Sequence, residues 1–420
     1  MYKLFHYPEH YQGLIAPHTT ESLTAPTYQY HFLGKDDAHC YQLQRTEKGY
    51  QVQTSYYIGV DWIKRQQTAI CVSPKLNHPL AAKSLEIDYI QMLLSCLHHS
   101  EISAHTRELF TIKWQAPTIK LPHHQDLLTP LLAVSYLMQL KQLVQKGLKK
   151  SYYKVNYNLH GRIKGKILVG PTIKQNILKN KQLNTVCAYD DFGLNHSENR
   201  LLKKALTFVH QYLPKHTHSK SLQQLFNFIR PAFENISAVV TPHEIKQLKT
   251  TAIYPEYEQA LHLAQLILKR FGYSLSHVGN EQIDTPPFWI DMSKLFELYV
   301  LGLLKDRFHN QLTYHFSTYG NELDYLLNTN EYQLVIDAKY KPKYQKGLVH
   351  QDIRQVSGYA RHSKVYQHLG LTYPESINCL IIYPDQENGL SSFDGVALLS
   401  EKIPQYKGIY KLPVKLPTIA

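Results

Sequence analysis

The hydrophobic pattern of the first third of the chain predicts mainly strands. The segments YYIGVDWI (56–63) and QQTAICVSPKL (66–76) are rich in β-branched and aromatic residues, and DYIQMLLSCLHH (88–99) has the periodicity of a short helix. From 125 to 149, apolar residues recur at helical spacing and the run ends in lysines, which are favourable near a helix C-terminus. These patterns predict a β-rich beginning that gives way to helices.

Helical periodicity dominates the middle of the chain. Helices are predicted at 198–213, near 220–235, and at 255–272, where Gly272 occupies the position of a C-cap glycine. The segment HGRIKGKILVG (160–170) instead has the pattern of a strand. We therefore expect the middle third to be mostly helical.

The last third alternates between helices and strands. A helix is predicted at 293–308, a pair of strands around 322–340, a helix near 350–368, and further strands at 377–384 and 393–400. This order, αββαββ, is typical of a compact α/β domain.

The length of the chain requires more than one hydrophobic core. At 420 residues it exceeds one ordinary domain, and we expect three. Residues 1–120 would form a β-rich N-terminal domain, 121–275 a mostly helical middle region, and 276–420 the α/β domain. The predicted fold class is therefore α/β, in a multi-domain chain that is α+β overall.

Composition narrows the range of functions. The chain has 46 Lys and Arg against 33 Asp and Glu, a net charge of +13, which favours a polyanionic partner such as nucleic acid. No segment approaches eighteen continuous apolar residues, and the N-terminus lacks the layout of a signal peptide. Its five cysteines show no CxxC spacing, which suits reduced thiols rather than a zinc site. We expect a cytoplasmic protein that does not contact a membrane.

An acid and a lysine end a strand that otherwise reads as buried. Leu334, Val335 and Ile336 form an apolar run after the turn-forming NTNE (328–331), and Asp337 and Lys339 follow. Residues two apart on a strand point to the same face, so the carboxylate and the ammonium would lie side by side.

A second acid is predicted to oppose the first. NELDYLL (321–327) is a plausible partner strand, and a hairpin centred between Asn330 and Glu331 places Asp324 opposite Asp337. Opposed residues have Cβ atoms roughly 4.5–5.5 Å apart, so two carboxylates would repel unless one is protonated or a cation joins them. Mg²⁺ would join them, because it prefers carboxylate oxygens and retains bound water.

The alternative is an ordinary exposed ion pair at a strand end, which would contribute little to stability. The functional hypothesis depends on further polar residues that occur in the helices before and after this hairpin. The predicted upstream helix carries Glu297, and the predicted downstream helix carries Gln355 and Tyr359 at i, i+4 spacing on one face.

Together these residues resemble the PD-(D/E)xK nuclease superfamily, whose core is a helix, a hairpin and a second helix. Asp324 matches its first acid, although LD (323–324) replaces the usual PD, and DAK (337–339) matches its second motif. The chain also resembles the nuclease subunit of the McrBC 5-methylcytosine-specific restriction systems. That likeness is carried by four segments: IDMSKLFELYV (290–300), DIRQVSGYA (352–360), HGRIKGKI (160–167) and ENRLLKKAL (198–206).

The resemblance implies roles for the site residues. Asp324 and Asp337 would bind Mg²⁺, with Mn²⁺ as a substitute, and Lys339 would orient the attacking water or stabilise the transition state. Glu297 would add a carboxylate to the metal site or hold the water of the metal, or would be only an exposed helical residue. Gln355 and Tyr359 would contact the DNA backbone or support Lys339, or would serve only in packing and capping.

The resemblance also implies a partner. The sequence has no GxxxxGK[ST] loop, so the motor would be a separate AAA+ GTPase or ATPase, docked by the N-terminal and middle regions. The favoured function is a metal-dependent endonuclease subunit that cuts modified double-stranded DNA. The alternative is a non-cutting scaffold that stimulates nucleotide hydrolysis by the partner.

Overall fold

The computed structural model describes most of the chain and shows a mixed α/β fold. The described residues are 2–15, 23–34, 39–74, 87–96, 99, 105, 109–122, 126, 128–213, 220–241, 255–275, 282–341, 344, 347, 349–372 and 375–418. They form two compact units: the first combines residues 1–131 with 277–420, and the second is the continuous segment 132–276. The second unit lies close in sequence to the predicted middle region, 121–275, whereas the two ends of the chain share one unit.

The N-terminal part of the first unit contains three sheets and a helix. A five-stranded sheet has the order β1-β7-β6-β14-β8, a four-stranded antiparallel sheet has the order β2-β5-β4-β3, and β9 pairs with β13. The predicted strands at 56–63 and 66–76 are confirmed as β6 and β7, and the helix within 88–99 is confirmed as α1. The elements are β1 (Lys3–Pro8), β2 (Gln12–Ile15), β3 (Thr27–His31), β4 (His39–Thr46), β5 (Gly49–Thr54), β6 (Tyr57–Lys64), β7 (Thr68–Ser73), α1 (Tyr89–Cys96), β8 (Phe110–Ile112), β9 (Ile119–Pro122), β13 (Gln282–Thr285) and β14 (Phe288–Asp291).

Strand β14 comes from the last third of the chain and lies between β6 and β8, which come from the first third. Gly59 of β6 is paired with Trp289, and a Cβ at Gly59 would lie 2.1 Å from the Phe288 carbonyl oxygen, so only glycine permits this approach. The buried Asp61 carboxylate accepts hydrogen bonds from Trp289 Nε1 at 3.1 Å and Lys113 Nζ at 2.5 Å. Asp61 therefore links three segments that are distant in sequence.

The second unit contains a small sheet as well as helices. Strands β10, β12 and β11 form an antiparallel sheet in that order. Helix α2 begins in the first unit at Leu128 and continues into the second. The elements are α2 (Leu128–Lys146), β10 (Ser151–His160), β11 (Lys166–Ile167), α3 (Val169–Gln175), β12 (Asn184–Gly193), α4 (Ser197–Tyr212), α5 (Lys220–Ile229) and α6 (Pro255–Leu275).

Two predictions for this unit are wrong. Residues 160–170 do not form one strand, because Gly161 and Gly165 adopt positive φ angles of 63° and 69° that interrupt it, and α3 begins at Val169. Gly272 does not end its helix, because α6 continues to Leu275. A glycine weakens a helix by about 1 kcal/mol but does not terminate it.

The C-terminal part of the first unit has a six-stranded sheet at its centre. The strand order is β15-β16-β17-β18-β20-β19, in which β17, β18 and β20 are parallel. The predicted helix at 293–308 and the strand at 377–384 are confirmed as α7 and β18. The elements are α7 (Met292–Phe308), β15 (Leu312–Thr318), β16 (Asn321–Asn328), β17 (Gln333–Ala338), α8 (His350–Tyr359), α9 (Ser363–Leu369), β18 (Asn378–Pro384), β19 (Glu401–Lys402) and β20 (Ile409–Val414).

The predicted order αββαββ is therefore incomplete. Strands β15 and β20 were not predicted, and the helix near 350–368 is two helices. Residues 393–400 form turns rather than a strand: Gly395 has a φ of +68°, and Arg307 Nη1 donates to the carbonyl oxygens of Phe393 and Val396. These carbonyls are satisfied by a side chain instead of a neighbouring strand.

Strand β17 is covered on both faces, which explains its continuous apolar run. Val335 packs in one core cluster with Ile353 and Val356 of α8. On the other face of the sheet, Tyr325 of β16 donates a hydrogen bond to the Glu297 carbonyl oxygen of α7 at 2.6 Å. The end of β17 is thus held between two helices.

Among the described residues, no helix is long and apolar enough to cross a membrane.

We expect Asp61→Ala to destabilise the protein by about 2–4 kcal/mol, because Trp289 and Lys113 would lose a buried acceptor. Thermal melting measures the effect, and the exposed Glu331→Ala is the matched control, with a change within about 0.5 kcal/mol. A melting midpoint for Asp61→Ala equal to that of the wild type would contradict the proposed link between the three segments.

Candidate functional site

The hairpin of β16 and β17 has the register that the sequence predicts. Tyr325 pairs with Ile336, and the ladder continues to Asn328 opposite Gln333, centred between Asn330 and Glu331. The same register carried one step further places Asp324 opposite Asp337. Asp324 Oδ2 accepts a hydrogen bond from the Ala338 backbone N–H at 2.8 Å, so the two aspartates meet where the ladder ends.

Asp337 is a buried carboxylate, 1% exposed. Its Oδ2 atom lies 2.8 Å from Lys339 Nζ but has no aligned hydrogen-bond donor among the described residues. Burial raises the pKa of Asp337, and the charge of Lys339 offsets part of that shift. Burial and then the charge of Asp337 raise the pKa of Asp324 well above its ordinary range. The pair is therefore electrostatically strained.

Lys339 is held in place by a short chain of polar contacts. Its Nζ atom donates to Gln355 Oε1 at 3.1 Å, and Gln355 Nε2 donates to the Tyr359 hydroxyl at 2.8 Å. Gln355 and Tyr359 both lie on α8, which brings them to the same face. Burial disfavours the charge of Lys339, but Asp337 and Asp324 outweigh it and raise the pKa of the ammonium. Lys339 is thus a fixed cation beside the aspartates.

Glu297 is largely but not fully buried, with a side chain 15% exposed, so the interpretation of it as an exposed helical residue is wrong. Its Oε1 atom accepts hydrogen bonds from Tyr314 at 2.6 Å, His315 at 2.8 Å and Lys294 at 2.9 Å. Burial alone would raise the pKa of Glu297, but the contacts of His315, Lys294 and Tyr314 lower it to about 2. Glu297 is therefore a firmly ionised carboxylate.

The backbone of β15 is distorted next to this carboxylate. His315 has a φ of +52°, and the ladder with β16 skips the step between His315 and Asp324. Successive strand residues normally point to opposite faces, yet the rings of Tyr314 and His315 stack with centroids 3.9 Å apart and both contact Glu297. A non-glycine residue in this conformation is strained, and such strain concentrates at functional sites.

Part of this group of side chains faces a cavity of about 360 Å³, whereas Asp337 and Tyr359 are not among the residues that line it. Asp324, Glu297, Lys339 and Gln355 line it, and so do residues that the sequence did not single out. The additional lining residues include Tyr56, Ser293, Lys341, Gln351 and Asp352. Asp352 is the first residue of the quoted segment DIRQVSGYA, and Lys341 lies two residues after the quoted motif DAK. Tyr56 and Ser293 also lie in quoted segments, YYIGVDWI and IDMSKLFELYV, but neither was assigned to the site from the sequence.

The aspartate pair has the chemistry to hold a hard divalent cation. Across the part of the chain that the structure describes, no group of three or more His, Cys, Asp or Glu residues is arranged to bind a metal by itself. Mg²⁺, however, is commonly bound through one or two carboxylates, with water and substrate phosphate as its other ligands. Asp337 Oδ2 is contacted by the Lys339 ammonium without a well-aligned hydrogen bond, so it can also contribute to this arrangement.

Fold and site together define a mixed α/β protein whose central hairpin ends in opposed aspartates and a lysine. The profile of the family described as McrBC 5-methylcytosine restriction system component matches residues 52–384. The chain therefore belongs to the McrBC family. A comparison with curated proteins finds no match.

Solved structures of Thermococcus gammatolerans proteins are similar to the chain. One is the refined half-complex from the tetradecameric assembly of McrB AAA+ hexamers with bound McrC, at 16% identity and a TM-score of 0.41, with 99% of this chain and 95% of that chain covered. Another is the cryo-EM structure of the McrBC complex, at 13% identity and a TM-score of 0.30, with 72% and 87% covered.

We expect Asp324→Asn to stabilise the protein in EDTA, raising the melting midpoint by about 2–4 °C. Asparagine keeps an acceptor for the Ala338 N–H and removes a charge that burial and Asp337 disfavour. Because the folded pKa of Asp324 lies above the unfolded one, the wild type loses stability as pH rises from about 4 towards the folded pKa. The difference in melting midpoint between Asp324→Asn and the wild type should therefore be absent below about pH 4 and grow above it. Glu331→Gln, a change to an exposed carboxylate in the turn of the same hairpin, is the control.

Proposed function

We propose that the chain is the nuclease subunit of a modification-dependent restriction system and hydrolyses DNA phosphodiesters with a divalent metal ion. Membership of the McrBC family supports a role in restriction. The observation that carries the nuclease proposal is the meeting of Asp324, Asp337 and Lys339 at the end of β17, in the arrangement typical of a PD-(D/E)xK core.

Phosphodiester hydrolysis needs an activated water, an electrophile on the phosphate and positive charge for the transition state. Asp324 and Asp337 would hold Mg²⁺, or Mn²⁺ in its place, and the bound ion supplies the first two requirements. Lys339 stabilises the charge that develops on the phosphate oxygens. Gln355 fixes the position of Lys339, and Tyr359 fixes that of Gln355.

Glu297 has a distinct role in this proposal. Its Oε1 atom is already shared by Lys294, Tyr314 and His315, so these donors hold the carboxylate in one orientation. A carboxylate that remains ionised and fixed at the cavity wall can accept a hydrogen bond from water. We therefore assign Glu297 to the orientation of water in the cavity rather than to direct binding of the metal.

A separate AAA+ partner would provide nucleotide hydrolysis. The sequence contains no nucleotide-binding loop of the GxxxxGK[ST] type, and its charge of +13 suits a DNA substrate. Most of the large apolar side chains that are exposed among the described residues lie between 152 and 192, including Tyr152, Ile163 and Leu178. Exposed apolar surface of this kind marks sites of protein interaction, which supports partner binding by the second unit.

Metal binding can be measured apart from activity. We expect Mg²⁺ and Mn²⁺ to raise the melting midpoint of the wild type progressively with concentration, because binding to the folded state alone stabilises it. Asp324→Asn and Asp337→Asn should remove this increase, whereas Asp394→Asn, at an exposed position, should retain it. An equal increase in all four proteins would show that the ion binds elsewhere.

Cleavage tests the proposed function directly. Methylated and unmethylated plasmids are incubated with Mg²⁺ and the wild type, Asp337→Asn or Lys339→Ala, each with and without the AAA+ partner and GTP or ATP. We expect wild-type cutting that needs the partner, and a loss of at least about 100-fold in both variants.

Lys402→Ala, which removes an exposed lysine, should cut as the wild type does. Equal cutting by Asp337→Asn and the wild type would reject the site. If no protein cuts while the wild type accelerates nucleotide hydrolysis by the partner, the scaffold alternative replaces the nuclease.

A further inference from the structure

A tight turn after β17 places a second lysine beside Lys339. The Lys341 backbone N–H donates to the Lys339 carbonyl oxygen at 2.6 Å, an i to i+2 contact. The residue between them, Tyr340, is 3% exposed and packs its ring against Phe296, away from solvent. Lys339 and Lys341 both line the cavity, on the two sides of this buried tyrosine.

Lys341 is positioned by a buried acid. Its Nζ atom donates to both carboxylate oxygens of Asp352, at 2.8 and 2.9 Å. Asp352 is 4% exposed and also accepts a hydrogen bond from the Tyr344 hydroxyl at 2.8 Å. The Lys341 side chain nevertheless remains 25% exposed, so the ammonium is fixed at the cavity wall without being enclosed.

The charged residues that line the cavity leave Lys341 as a cation that can bind an entering anion. Of the described residues that line the cavity, Lys339 and Lys341 carry positive charge, whereas Glu297, Asp324 and Asp352 carry carboxylates. Lys339 is already shared between Asp337 and Gln355. An ammonium has three N–H groups, and Asp352 engages two of those of Lys341, which leaves one for an anion that enters the cavity.

We propose that Lys341 binds a backbone phosphate of the DNA strand adjacent to the phosphate that is cut, with Asp352 as its positioning residue. The inference rests on the proposed function, since DNA is the substrate named there. A phosphate contact of this kind orients the strand without reading its sequence.

The competing explanation is that the ion pair only tethers the first turn of α8 to the end of β17. Both explanations predict that Lys341→Met alone harms the protein, because it leaves Asp352 buried without its cation. The two explanations make different predictions for variants in which Asp352 is replaced by the uncharged asparagine. Asp352→Asn keeps the charge of Lys341 and removes its competitor, whereas Lys341→Met/Asp352→Asn removes both charges and leaves the net charge of the chain unchanged.

The experiment measures binding of a fluorescein-labelled methylated duplex by anisotropy, in Ca²⁺ instead of Mg²⁺, over a range of salt concentrations. We expect Asp352→Asn to bind at least as tightly as the wild type. The double variant should bind about 3- to 10-fold more weakly, with a salt slope smaller by roughly 0.9, the value of one lost phosphate contact. Lys149→Met/Glu198→Gln, which removes a largely buried ion pair of the second unit, is the charge-matched control and should retain the wild-type slope.

Equal affinity and slope in Asp352→Asn and the double variant would overturn the Lys341 inference while leaving the nuclease proposal intact. A wild type that binds DNA with the expected Lys341 effect but never cuts would reject the nuclease proposal and retain the phosphate contact. A wild type that binds no DNA, with or without the AAA+ partner, would overturn both.

Discussion

The repulsion between Asp324 and Asp337 is the constraint on which the site depends. Strand β17 is covered on both faces, and its last residues bring Asp337 into the interior, where a carboxylate without compensation is costly. The ammonium of Lys339 offsets part of the cost of burying the Asp337 carboxylate. The hydrogen bond from the Ala338 N–H offsets part of the cost of burying Asp324. On the proposed function, a divalent cation would neutralise the remaining imbalance, and the stability lost to the buried charges would be recovered when the ion binds.

A second polar cluster surrounds this pair without relieving it. Lys294, Tyr314 and His315 all donate to Glu297, and the strained backbone of His315 is what allows two successive side chains to reach one carboxylate. These donors keep Glu297 ionised, and its charge adds to the effects of burial and Asp337 on Asp324. The cavity therefore combines Glu297, which its donors keep ionised, with Asp324, whose ionisation burial and the neighbouring charges disfavour.

Local sequence signals predicted the hairpin well, because its turn residues and apolar run determine one register. The same reasoning placed Gln355 and Tyr359 on one helical face, since their spacing is i, i+4. Sequence reasoning could not place β14. A four-residue strand that joins a sheet formed by the first third of the chain leaves no local signal. The surroundings of Glu297 were equally inaccessible, since they depend on the φ angle of His315, a residue whose type does not predict left-handed backbone. Asp352 lay in a quoted segment and Lys341 two residues after one, but only the turn at Tyr340 brings this second lysine to the cavity.

The charge distribution has a consequence for how substrate and metal would enter together. The chain as a whole is strongly basic, yet the described residues that line its cavity include more carboxylates than lysines. A phosphate approaching this cavity is attracted by the protein at long range and repelled by Glu297 and Asp324 at short range. On the proposed function, a bound cation reverses the local sign, so that metal and DNA each strengthen the binding of the other, as linkage requires. Lys341, already neutralised by Asp352, cannot replace the metal in this respect and acts only to align the strand.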